Sequence, residues 1–164
     1  MTTGPLVVVT SAAALTVAAA AGMMYAFSTF VMRGLDRTGP VDAITAMRGI
    51  NAAANTNALF LLAYFGAAIL SVAAGVLAAL KLGEPGAVWV LAGGVVGVLG
   101  AIITIAFNVP LNNHLDTADP AGLSIADAAR EWQAYYSTWT AWNHVRTATG
   151  VVAAILMVVG LRYR

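Results

Sequence analysis

Two apolar runs decide the fold of this chain: ALFLLAYFGAAILSVAAGVLAAL at residues 58–80 and AVWVLAGGVVGVLGAIITIAF at residues 87–107. Neither contains a charged residue. A helix crossing the roughly 30 Å hydrocarbon core of a bilayer needs about 20 predominantly apolar residues, and each run meets that length. The segment between them contains Gly83-Glu84-Pro85-Gly86, a combination that punctuates helices and favours a tight turn. The pair therefore reads as a transmembrane helical hairpin.

Working outward, two more runs meet the same test. Residues 6–32 carry no charge. They lack the basic leader of a secretory signal, and the run exceeds the usual apolar length of one, so a retained helix is expected. The last run needs residues 139–161 to be long enough, which draws Asn143, His144 and Arg146 to the membrane edge. Of the 164 residues, 60% are hydrophobic and only 9% are charged, against about 25% charge in soluble domains. The expected architecture is an all-α, integral membrane four-helix bundle, one domain over residues 1–164, with short interfacial helices in the first and third connections.

The first of those short helices covers residues 42–55, where Ile44, Met47, Ile50 and Ala54 form an apolar stripe beside polar Arg48, Asn51 and Asn55. The second begins near Ser124 and runs to Tyr136. Its aromatic run, Trp132, Tyr135, Tyr136 and Trp139, suits the headgroup zone, where such side chains collect; a stacking platform is the other reading. Small residues such as Gly93, Gly94, Gly97 and Gly100 let helices approach closely.

A net charge of +1 leaves no basic field for nucleic acid. The absence of cysteine removes disulfides, thiolate metal sites and thiol-redox chemistry. The two histidines, thirty positions apart, lack metal-ligand spacing, so no metal is expected. A bis-histidine haem would require His114 to fold back toward His144. Basic residues split between Arg33, Arg37, Arg48, Arg130 and, if counted with that edge, Arg146 on one side and Lys81, Arg162 and Arg164 on the other. This slightly favours cytoplasmic long loops, but discounting Arg48 and Arg146 as site residues brings the two sides near parity, and orientation stays open.

Polar groups cluster at one membrane edge, where they are expensive and usually mark a working site. Trp139, Asn143, Arg146 and Gly150 share one helical face, with Trp142 beside it, whereas His144 points roughly 160° away from Arg146 at 100° per residue. Thr104, Asn108 and Asn112 form a polar stripe one helix away, interrupted by Pro110, which cannot donate a backbone hydrogen bond. Tyr25, Ser28 and Thr29 come from the first span, and Arg48 and Asn51 from the interfacial helix. Converged, they make an apolar cavity with a few fixed polar groups, the usual composition of a small-molecule site. The competing reading is structural. Arg146 would snorkel or pair with Asp116, Asp119, Asp127 or Glu131, the asparagines would cap a helix, and the histidines would be solvated or interfacial.

The segments FSTFVM (27–32), AMRGIN (46–51), FNVPLN (107–112) and WTAWNHVRT (139–147) resemble the anthrone oxygenase-like family of small four-span membrane proteins, over nearly the whole chain. FNVPLN and WNHVRT are specific as a pair. The resemblance implies oxidation of a polycyclic anthrone-type phenolic to a quinone by O2 as co-substrate, without metal or flavin, in a multi-pass protein of the bacterial inner membrane. It suggests His144 as base and Arg146 with Asn143 as oxyanion partners. Asn108, Asn112, Asn51, Arg48, Tyr25 and Thr29 would orient the substrate, with Trp139 and Trp142 stacking on its rings. Should His144 fall outside the pocket, water or Asp116 would take the proton. Two other readings stand beside it: a non-enzymatic carrier of an apolar aromatic, quinone or lipid, and a haem-linked or structural membrane subunit. Expected partners are the bilayer and a small apolar aromatic, with self-association into a homo-oligomer left open.

Overall fold

The computed structural model describes residues 4–163, so the tail charge expected at Arg164 lies outside the described residues. These residues form helices and no strands. Five helices follow in order: α1 (Pro5–Asp36), α2 (Pro40–Thr56), α3 (Ala58–Ala79), α4 (Ala87–Thr117) and α5 (Ile125–Arg162). All but α2 are long and apolar enough to cross a membrane, as in an integral multi-pass membrane protein.

Local chemistry sets the ends. Pro5 and Pro40 begin α1 and α2, positions where a missing N–H costs nothing. Asn57 caps α3 by accepting the Phe60 N–H at 3.0 Å, and Ser124 caps α5 by accepting the Asp127 N–H at 3.2 Å. Gly86 starts α4 from a left-handed φ of 81°, which glycine adopts without a Cβ penalty.

The spans pack in the cyclic order α1, α3, α4, α5. Small residues bring their backbones together. A Cβ on Gly94 would lie 2.7 Å from the Ser71 carbonyl oxygen, and one on Gly160 would lie 2.9 Å from the Gly86 carbonyl oxygen. Such close approach is how membrane helices gain packing without a hydrophobic driving force between them.

Three boundaries differ from the sequence expectation. First, α1 continues past Met32 to Asp36. Second, α4 continues through Pro110 to Thr117, because the turn before the proline widens. Residues Thr104–Asn108 wind as π-helix, with the Val109 N–H reaching the Thr104 carbonyl. A matching π-turn covers Phe27–Val31 in α1. Third, the helix expected in the third connection is continuous with the fourth span. Nothing between Ser124 and Leu161 breaks α5, whose 38 residues extend about 57 Å and so project beyond the hydrocarbon core.

That projection is packed. Trp132, Tyr135 and Trp139 of α5 are buried with Met32 of α1, Ile44 and Met47 of α2 and Leu115 of α4. At 1% exposure Trp132 is core, not an interface belt. Its indole N–H donates to Asp36 Oδ1 at 2.8 Å, and Gln133 donates to the same oxygen at 3.1 Å. The predicted apolar stripe of α2 thus roofs one end of the bundle.

Candidate functional site

The site is built around one buried cation. Arg146, in α5, is 8% exposed, and among the described residues no carboxylate lies within ion-pair distance of it. Its Nε donates to Asn143 Oδ1 at 2.8 Å, and its Nη1 donates to Thr104 Oγ1 at 3.3 Å. The guanidinium also sits over the Trp139 ring, 4.9 Å from the centroid, a favourable cation–π placement. Neutral acceptors and a π face therefore hold the charge without cancelling it.

Each partner is itself fixed. Asn143 donates to the Met24 carbonyl at 2.8 Å and to Ser28 Oγ at 2.7 Å, tying α5 to the mouth of the π-turn in α1. Thr104 donates its hydroxyl proton to the Gly100 carbonyl at 2.9 Å. Having spent that proton, Thr104 Oγ1 can only accept from its other neighbours. It therefore accepts from Arg146 and from the Tyr64 hydroxyl. Two donors, one cationic and one phenolic, are aimed at a single point.

Above this point lies a cavity of about 310 Å³ bordered by all five helices. Arg146, Tyr64 and Thr104 form part of its wall, with apolar surface from Met24, Phe27, Met47, Phe60 and Leu61. Asn51, Asn55, Asn112 and Trp139 complete it on the side of α2. Asn112 Oδ1 accepts from the Trp139 indole at 2.7 Å and from Tyr135 at 2.9 Å. Asn51, buried, donates to Asp116 Oδ1 at 3.3 Å.

Of the residues singled out from sequence, Arg146, Trp139, Asn112 and Asn51 meet at the cavity. Asn143 and Asn108 are fully buried behind it; Asn108 donates to the Trp139 carbonyl at 3.2 Å, while its Oδ1 has no partner. They brace the wall and do not line the space. Trp142 stacks on Phe107 with centroids 3.5 Å apart, away from the cavity. Tyr25 is exposed, and Thr29 bonds back to the Tyr25 carbonyl at 2.8 Å. Arg48 is half-buried outside the lining.

His144 is exposed and does not line the cavity. The helix is regular there, so the angular separation from Arg146 is kept. His114 meets Glu131 at 2.9 Å on the exposed end of the molecule. Among the described residues, no three His, Cys, Asp or Glu side chains converge as a metal-ligand set.

Tyr64 is the residue that sequence reading missed. It is the only hydroxyl-bearing side chain between Ala58 and Leu70, and a phenol at that depth needs a partner, which is the signal that could have found it.

A family model described as anthrone oxygenase matches residues 60–156. Tyr64, Thr104, Asn112, Trp139, Asn143 and Arg146 all fall within that span. No curated protein and no solved structure matches the chain.

Proposed function

Because this chain belongs to the anthrone oxygenase family, we propose that its cavity binds a flat, polycyclic phenolic from the membrane and oxidises it to a quinone with O2. The observation that carries this reading is Arg146, a buried guanidinium without a carboxylate at the wall of a ring-sized apolar cavity. A charge left uncompensated in a dry site is costly, and an anionic ligand repays that cost. The volume fits. An apolar cavity of roughly 150 Å³ holds one benzene, and this one is about 310 Å³.

The chemistry asks little beyond such a site. Loss of a proton from an anthrone methylene gives a delocalised enolate whose charge rests on oxygen. Arg146 keeps N–H groups beyond those bonded to Asn143 and Thr104, and a Tyr64 hydroxyl turned from Thr104 to the ligand adds a second donor on the cavity wall. Together they can hold that oxygen, an arrangement that lowers the barrier where charge develops. Phe27, Phe60 and Trp139 flank the rings. Among the described residues neither imidazole nor carboxylate lines the cavity, so the proton leaves through water past Asn51 to Asp116, its hydrogen-bond partner. The enolate then reduces O2, carbon–oxygen bond formation gives a hydroperoxide, and loss of water leaves the quinone carbonyl. In sum CH2 and O2 become C=O and H2O.

The missing base inside the cavity favours one alternative, a carrier that binds the same ring compound without turning it over. Purified protein in lipid nanodiscs, given an anthrone under O2 and assayed for quinone, separates the two. Turnover above the spontaneous rate that Arg146→Ala abolishes supports the oxygenase. Saturable binding with no added turnover supports the carrier.

A further inference from the structure

Deeper in the bundle lies a second, much smaller void of about 40 Å³, bordered by all four spans. Tyr64, Met24 and Arg146 line both spaces. The remaining wall is almost entirely methyl groups and bare backbone, among them Ala20, Ala68, Gly97 and Ala101. From this geometry we infer that the small void is the dioxygen site, a conclusion that rests on the oxidation proposed above.

Size removes most alternatives. A water occupies about 30 Å³ of liquid and benzene needs roughly 150 Å³, so no ring enters a space of about 40 Å³. A water or a diatomic gas matches that volume. A buried water needs two to four polar partners. The polar side chains in this lining are Arg146 and Tyr64, so a water there has at most these two side-chain partners, the low end of that range, and gives way more readily to an apolar gas. Dioxygen needs no hydrogen bond, and apolar cavities admit gases such as xenon.

Packing accounts for the glycines but not for the space. A Cβ on Gly97 would lie 2.5 Å from Ser71 Oγ, and one on Gly150 would lie 2.8 Å from the Ala21 methyl. Helix contact therefore demands those glycines. The void persists because alanine, not a larger aliphatic residue, stands at positions 20, 68 and 101, although an unfilled space forfeits dispersion contacts.

The location suits the chemistry. An enolate in the large cavity passes one electron to O2 in the small one, giving a carbon radical and superoxide. Arg146 borders both and is 8% exposed, so the cation that held the enolate charge faces the superoxide charge as it forms. Radical and superoxide then couple to form the carbon–oxygen bond. A proton completes the hydroperoxide, and loss of water gives the carbonyl.

The test fills the void from two sides, with Ala68→Leu and Ala101→Val, in protein held in nanodiscs. Initial rates with an anthrone are measured across dissolved O2, alongside 129Xe exchange spectra of each protein. The KM for O2 should rise about fivefold or more while the KM for the anthrone stays within about twofold. The slow-exchange xenon signal of the wild type should weaken in both variants. Retained binding of the ring compound certifies that a variant is folded. An unchanged KM for O2 in both folded variants, or no xenon binding to the wild type, overturns the assignment. If the wild type binds xenon but turns over no anthrone, the oxidation reading fails, whereas the gas pocket stands.

Discussion

Asn143 Oδ1 accepts from Arg146 Nε at 2.8 Å, while the same side chain's nitrogen donates to the Met24 carbonyl at 2.8 Å. One neutral amide thus orients the buried cation and pins α5 to α1. Asn143→Asp keeps the outline and places a carboxylate against the guanidinium, and it also gives up the donation to the Met24 carbonyl. With its charge neutralised internally, Arg146 no longer favours an anionic ligand, and kcat should fall about 10²-fold. Asn143→Leu instead removes all three side-chain bonds, to Arg146, Met24 and Ser28, and should lower stability by about 1–3 kcal/mol. Quinone production by folded Asn143→Asp and thermal unfolding of Asn143→Leu check the two expectations.

Tyr64 donates to an atom that Arg146 also reaches. Tyr64→Phe preserves the cavity outline and deletes one of the two convergent donors. The expected result is a loss of about 10²-fold in kcat with little change in KM, read from steady-state quinone formation. A rise in KM alone would assign the hydroxyl to ground-state binding.

His144 is exposed and outside the cavity. His144→Ala should therefore leave kcat/KM within about twofold of wild type, whereas an imidazole acting as base would cost about 10²–10⁴-fold. The same assay decides it.

The proton route through Asp116 carries its own expectation. Asp116→Asn retains the contact with Asn51 and removes the carboxylate acceptor, so proton abstraction should slow by about 10²-fold or more. Deuteration of the substrate methylene should then give a larger isotope effect than in wild type. An added small carboxylate should restore part of the rate.

The extent to which the site could be read in advance follows from which signals are local. Four spans are visible because hydropathy is summed along a single segment. The angular relation of Trp139, Asn143 and Arg146, and the divergence of His144, follow from helix periodicity alone, and the structure keeps them. Continuity of α5 was hidden because Trp132 and Tyr135 look the same at a headgroup boundary as in a buried cluster. Burial there depends on Met32, Ile44 and Leu115 arriving from three other helices. The π-turns at Phe27–Val31 and Thr104–Asn108 have no periodic trace, and Pro110 marks only one of them. Met24, Met47 and Phe60 become cavity wall through tertiary approach, which no single segment encodes.

The central claim is that Arg146 makes the cavity selective for an aromatic anion. Its most direct measurement compares the binding of a hydroxyanthraquinone phenolate with that of its neutral methyl ether, in wild type and in Arg146→Met. We predict that the wild type favours the phenolate by about tenfold or more and that Arg146→Met loses this preference while still binding the ether. Equal affinity for both ligands in the wild type, or a preference that survives the substitution, would contradict the account.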